Sequence, residues 1–175
     1  LRSFTKYAGL NILGMLGISS YILADTFFVA QRLGALGIAA LNLSIPIYSV
    51  IHGFGLMIGI GAATRFSILK SRGSSKQAQI VFSTALQTGI LIGIIFSLVG
   101  ILASGYLASL LGANGDTFFM TKSYLATILV FAPFFISNNV VLAYVRNDGN
   151  PNLVMVAMLV GSVSNIILDY MFMFP

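Results

Sequence analysis

The chain contains four acidic residues, all Asp, and two of them fall inside long apolar stretches. Asp25 stands in Tyr21-Ile22-Leu23-Ala24-Asp25-Thr26-Phe27-Phe28, and Asp169 in Ile166-Ile167-Leu168-Asp169-Tyr170-Met171-Phe172. An ionised carboxylate at the centre of a membrane costs at least about 2.5–3.5 kcal/mol on insertion scales, so an acid kept there is a candidate functional residue. Asn165 precedes Asp169 by four residues, which puts an amide and a carboxylate on one face of a helix. Such a pair could hold a proton or a small cation, because oxygen donors of this kind suit hard cations. Two carboxylates in one low-dielectric pocket resist double ionisation and titrate as a unit, which is the chemistry of a proton switch. The bland alternative is a pair of hydrated acids that mark helix ends near the headgroups. Asp116 and Asp148 fall in polar loops, where solvation suffices.

Other polar residues inside apolar runs carry weaker signals. Asn138 and Asn139 interrupt one run, with Asn139 seven residues before Arg146, or about 10 Å along a helix. Gln87 reads as a helix–helix hydrogen bond or a cavity-lining group. The single His52 reads as an interfacial residue near a helix end, and Arg65 as a side chain that snorkels to the interface. The run Gly53-Phe54-Gly55-Leu56-Met57-Ile58-Gly59 lacks the spacing and the preceding strand of a dinucleotide site. No zinc motif, phosphate-binding loop or Ser-His-Asp arrangement occurs, and with no Cys there is no disulfide or thiolate site.

The elements that hold these residues follow from composition. Of 175 residues, 58% are hydrophobic and 7% charged, against about 25% charged in soluble domains. The mean hydropathy is +0.98. So little polar side chain cannot cover a water-exposed surface, which leaves an all-α polytopic membrane protein. A crossing needs about 20 apolar residues, and five stretches qualify: 7–30, 45–69, 80–102, 124–145 and 153–174. None alternates with period two, so a β-barrel is excluded. The first is too long, and too polar at Asn11 and Asp25, for a cleaved signal.

Turn chemistry fills the gaps. Ser44 is expected to cap the second helix, with Pro46 in its first turn. Polar loops are expected around Ser71–Lys76 and Gly112–Asp116. Asn150 is expected to cap the last helix with Pro151 at its first position. Pro133 should kink the fourth helix. The pairs Gly55/Gly59 and Gly89/Gly93 let helix backbones approach closely. Arg2, Lys6, Arg65, Lys70, Arg72, Lys76 and Arg146 lie on one side of such a topology, and Arg32 and Lys122 on the other. The basic loops and the N-terminus are therefore expected in the cytoplasm, in a plasma (inner) membrane protein. The net charge of +5 belongs to this pattern and implies no nucleic-acid partner. In this topology Asp25 and Asp169 lie 18 and 17 residues beyond Tyr7 and Asn152, or about 27 and 26 Å along outward-running helices, hence at matched depth.

The segment Asp25-Thr26-Phe27-Phe28-Val29-Ala30, followed by Leu33-Gly34 and Ile38-Ala39-Ala40-Leu41-Asn42, resembles the start of the multidrug and toxic compound extrusion (MATE) family. So do Pro46, the Gly-rich stretch from Gly53 to Gly61, Arg146-Asn147-Asp148-Gly149-Asn150-Pro151, Gly161, Asn165-Ile166-Ile167-Leu168-Asp169 and Phe172. The order of these pieces is similar to the family from end to end, in the bacterial multidrug-efflux branch.

The resemblance implies a twelve-helix antiporter of two six-helix lobes, not an enzyme, with no cofactor beyond a coupling H+ or Na+. It implies export of cationic or amphipathic small molecules across the lipid bilayer. It also implies a cation site at Asp25, Asn165 and Asp169, which would hold Na+ where the ion is sodium, with Asn139 as an added fourth-helix contributor. Two departures stand out. The first helix lacks the proline that some members bend on protonation. The five spans fall short of a lobe, so the chain is expected to be a fragment that lacks the sixth helix and the C-terminal lobe, without which alternating access cannot operate. A lipid-precursor flippase of the same superfamily would need cationic residues inside its cavity, and only Arg65 approaches that. An intramembrane aspartyl protease would carry Gly-x-Gly-Asp, whereas Asp169 follows Ile167-Leu168.

Overall fold

The computed structural model describes residues 2–174, with side chains from Ala8 onward. Every regular element among the described residues is an α-helix. The first helical run, Arg2–Ser71, departs from the expected pattern. Its 70 residues extend about 105 Å at 1.5 Å per residue, far beyond an apolar core of about 30 Å. The run is broken at Gly34, whose φ of 64° and ψ of −155° form a backbone state essentially reserved for glycine. We therefore divide it into α1 (residues 2–33) and α2 (residues 35–71), each longer than one crossing requires.

Ser44 does not cap a helix, and Pro46 does not open one. Both lie within α2. The Ser44 hydroxyl is buried and donates to the Ala40 carbonyl at 2.9 Å, which is a mid-helix bond to the preceding turn. The physical reason is that residues 35–43 carry no breaker apart from Gly37, and a membrane helix tolerates one proline. The chain breaks ten residues earlier than Ser44, at the one glycine with the required backbone.

The remaining helices are α3 (Ser75–Leu110), α4 (Gly115–Val130), α5 (Ala132–Asn147) and α6 (Pro151–Met173). The kink expected at Pro133 is a 49° bend between α4 and α5. Pro133 sits in the first turn of α5, where its missing N–H costs no intrahelical bond. Pro151 likewise opens α6, but the Asn150 side chain makes no capping bond; its backbone carbonyl accepts from Leu153 N–H at 3.1 Å. Among the described residues, three helical runs can cross a bilayer as they stand by length and composition, or four with the bent pair counted as one span. The break at Gly34 further divides the longest of them.

The chain forms two compact units. One joins residues up to 38 with those from 149 onward, and the other comprises 39–148. In the larger unit Ile51, Leu125, Leu129, Ile136 and Val140 are fully buried. Both glycine pairs receive α5: an added Cβ at Gly55 or Gly59 would meet Asn139 or Val140, and one at Gly89 or Gly93 would meet Ile136 or Pro133. Toward the other end of α5, the Tyr144 ring sits edge-on to Phe66 and Phe82 at 5.1 and 4.8 Å. Lys70 pairs with Asp148, and the Ser67 hydroxyl donates to the Asn147 carbonyl at 3.3 Å. These contacts tie the turn after α5 to the end of α2.

The smaller unit pairs α1 with α6 in parallel. Gly14 faces Met158, and Gly17 faces Leu159 and Ser162. Farther along, Phe28 meets Tyr170 and Phe174 at 6.1 and 5.8 Å between ring centres. This register carries Asp25 to the level of Asp169.

Candidate functional site

Asp25 projects from α1, and Asn165 and Asp169 from α6, all partly buried. The Asp25 and Asp169 carboxylates stand close enough to repel one another through space. Asn165 Oδ1 and Asp169 Oδ2 are buried and have no hydrogen-bond partner. Nearby hydroxyls do not serve them: Ser20 donates to Leu16, Thr26 to Ile22 and Ser162 to Met158, each a carbonyl of its own helix at 2.8 Å. Rings from Phe28, Tyr170 and Phe174 stack beyond the acids toward the C-terminal ends of the two helices.

A carboxylate oxygen and an amide oxygen can only accept hydrogen bonds unless the acid is protonated. Leaving such an acceptor buried and unpaired costs about 1–3 kcal/mol, more when it is charged. Two orphan acceptors on one helix face, with a second carboxylate in repulsive range, lack a positive species. A proton or a hard monovalent cation would supply it. Among the described residues no group of three His, Cys, Asp or Glu side chains converges. The donor set is therefore two carboxylates and one amide.

Asn139 belongs to the larger unit, on α5. Its Nδ2 donates to the Phe135 carbonyl at 3.0 Å and lies 3.1 Å from His52 Nδ1 on α2. The atom facing a carbonyl oxygen must be the NH2 group, which only donates. His52 Nδ1 is therefore the acceptor, and the ring proton sits on Nε2. Tyr48 stacks on the His52 ring at 6.1 Å and 19°. His52 is thus the polar partner of Asn139, where the sequence suggested only an interfacial residue. Nothing in the spacing announces the pair, because its members lie 87 positions apart. Gln87 and Asn138 are both exposed.

The MatE family model matches residues 11–171. The chain is 33% identical over 154 residues to the multidrug export protein MepA of Staphylococcus saprophyticus, a match that covers 88% of the chain and 34% of that protein. It is 31% identical over the same length to MepA of Staphylococcus aureus. Its fold superposes with a TM-score of 0.90, at 26% identity, on a MOP-superfamily transporter from Pyrococcus furiosus. That match covers 97% of the chain and 37% of that structure, which is described as having a binding pocket of reversed polarity that suggests a different function. A multidrug-resistance MATE transporter of the same superfamily, in an outward-facing conformation, superposes with a TM-score of 0.86, at 26% identity over 93% of the chain and 36% of that structure. The chain spans about a third of the length of these relatives.

Proposed function

Because the chain belongs to the MatE family of membrane transporters, we propose that it supplies the first part of a multidrug exporter and carries its coupling-cation site. The observation that carries this reading is the pair of orphaned oxygens, Asn165 Oδ1 and Asp169 Oδ2, held beside Asp25. The coupling ion, H+ or Na+, would be held by Asp25, Asn165 and Asp169, all within the smaller unit. The substrates would be cationic or amphipathic small molecules; the names of the staphylococcal relatives support multidrug export. The protein would lie in the plasma membrane with its N-terminus in the cytoplasm.

The chemistry is exchange. A cation that binds the acids more tightly in one conformation than in the other shifts the equilibrium by that difference in affinity and by no more. Occupation of the site removes the repulsion between Asp25 and Asp169 and satisfies the orphaned acceptors, so the state that closes around the site gains stability when the ion binds.

The test is efflux of ethidium, a fluorescent organic cation, from cells that express the full-length exporter with this segment. Asp169→Asn is expected to abolish gradient-driven efflux while the purified variant stays monodisperse. Collapsing the proton gradient and the sodium gradient separately then identifies the ion. Efflux by Asp169→Asn at the unmodified rate overturns the coupling role.

A further inference from the structure

Within the larger unit, α2 and α3 form a hairpin whose outer face carries a groove of about 480 Å³. Met57, Ala62 and Arg65 line it from α2, and Ile80, Thr84 and Thr88 from α3. Arg65 and Ile80 lie six and five residues from the Ser71–Ser75 turn, or about 8–9 Å along their helices. Met57 and Thr88 lie 14 and 13 residues from it, or about 20 Å. The groove therefore follows the half of the hairpin nearer the Ser71–Ser75 turn, with Arg65 and Ile80 at its turn-side end. Its walls are mainly apolar. Thr84 and Thr88 also line it, and the Thr88 hydroxyl donates to the Thr84 carbonyl at 2.8 Å. Met57 and Ile80 are 64% and 57% exposed, the surface that an acyl chain would cover.

Arg65 lacks a counterion. Among the described residues the acid–base pair is Lys70–Asp148, and no carboxylate reaches Arg65. A guanidinium at the edge of the hydrocarbon region needs an anion, and its planar fork fits phosphate oxygens. We propose that the groove holds one phospholipid with an anionic headgroup, its phosphate on Arg65 and one acyl chain laid along Ala62 toward Met57 and Thr88. Lys70, Arg72 and Lys76 follow at the same end of the hairpin and draw anionic lipid to that leaflet. The site is separate from the acids of the smaller unit and does not depend on their coupling role.

Native mass spectrometry of the full-length protein tests this with equimolar phosphatidylglycerol and phosphatidylcholine. The unmodified protein is expected to retain one phosphatidylglycerol with roughly fivefold preference. Arg65→Gln should lose that preference and Arg65→Lys should keep most of it. Arg72→Gln, which removes one loop charge outside the groove, should lower it far less than Arg65→Gln does. Met57→Trp, which fills the groove and keeps the charge, should expel the lipid. Thermal unfolding checks that each variant is folded. Equal retention of the two lipids, no retained lipid because the rest of the protein fills the groove, or undiminished preference in Arg65→Gln each overturns the proposal.

Discussion

At the scale of single residues, a buried acceptor without a donor is the most informative feature of this chain. Asn165 Oδ1 and Asp169 Oδ2 share that condition one helical turn apart. If Asn165 supplies one oxygen to the coupling cation, then Asn165→Ala removes one ligand and leaves the carboxylates in place. The half-saturating concentration of the ion in vesicle efflux should then rise about tenfold, with maximal rate largely retained. Tyr144 gives the contrasting case. Its hydroxyl is also buried and unpaired, but its ring packs edge-on against Phe66 and Phe82. Tyr144→Phe should therefore leave thermal stability unchanged or raise it, by up to about 1 kcal/mol, whereas Tyr144→Ala opens a cavity at about 3–5 kcal/mol. Asp25 and Asp169 stood out in the sequence as candidates because a charge in an apolar run is costly wherever it occurs, and Asn165 because it falls one helical turn before Asp169. The hydrogen bond between His52 and Asn139 was not, because it arises from tertiary register and neither residue type is costly alone.

At the scale of helices, two glycines act by different physics, and substitution separates them. A Cβ at Gly34 would meet nothing within 4 Å, so the cost of Gly34→Ala is wholly the backbone strain of φ 64°, about 1–3 kcal/mol. A Cβ at Gly93 would fall on the backbone of Pro133, so Gly93→Ala must push α5 off α3, at about 1–3 kcal/mol of overpacking. Gly161 has open space and no positive φ, and Gly161→Ala should be neutral or slightly stabilising. Thermal unfolding of the purified full-length variants measures all three. The same residues show how far the elements could be read. The apolar runs announced the helices, and Pro133 announced the bend between α4 and α5. The break at Gly34 was hidden because Ser44 and Pro46 form a better helix-start signal than a lone glycine. Local signals of that kind yield where the surrounding residues continue the helix at no cost and one backbone position absorbs the turn.

At the scale of the whole molecule, orientation decides what the groove faces. The hairpin end at Ser71–Ser75 carries Lys70, Arg72 and Lys76, and the last turn of α5 carries Arg146, next to the turn that Lys70 and Asp148 tie to the same end. The loop between α3 and α4, Leu111–Asn114, carries no basic residue, and Lys122 follows it within α4. Basic residues near short loops are retained on the cytoplasmic side. The chain contains no Cys, so single cysteines can report each side once any in the remainder of the full-length protein have been replaced. In intact cells a membrane-impermeant maleimide should label Asn114→Cys and spare Ser74→Cys. In inverted vesicles the pattern should reverse. Protection of Ser74→Cys in intact cells puts the Arg65 end of the groove at the inner leaflet, where anionic lipid supplies the phosphate. Labelling of Ser74→Cys from outside would put that end at the outer leaflet and invert the assignment.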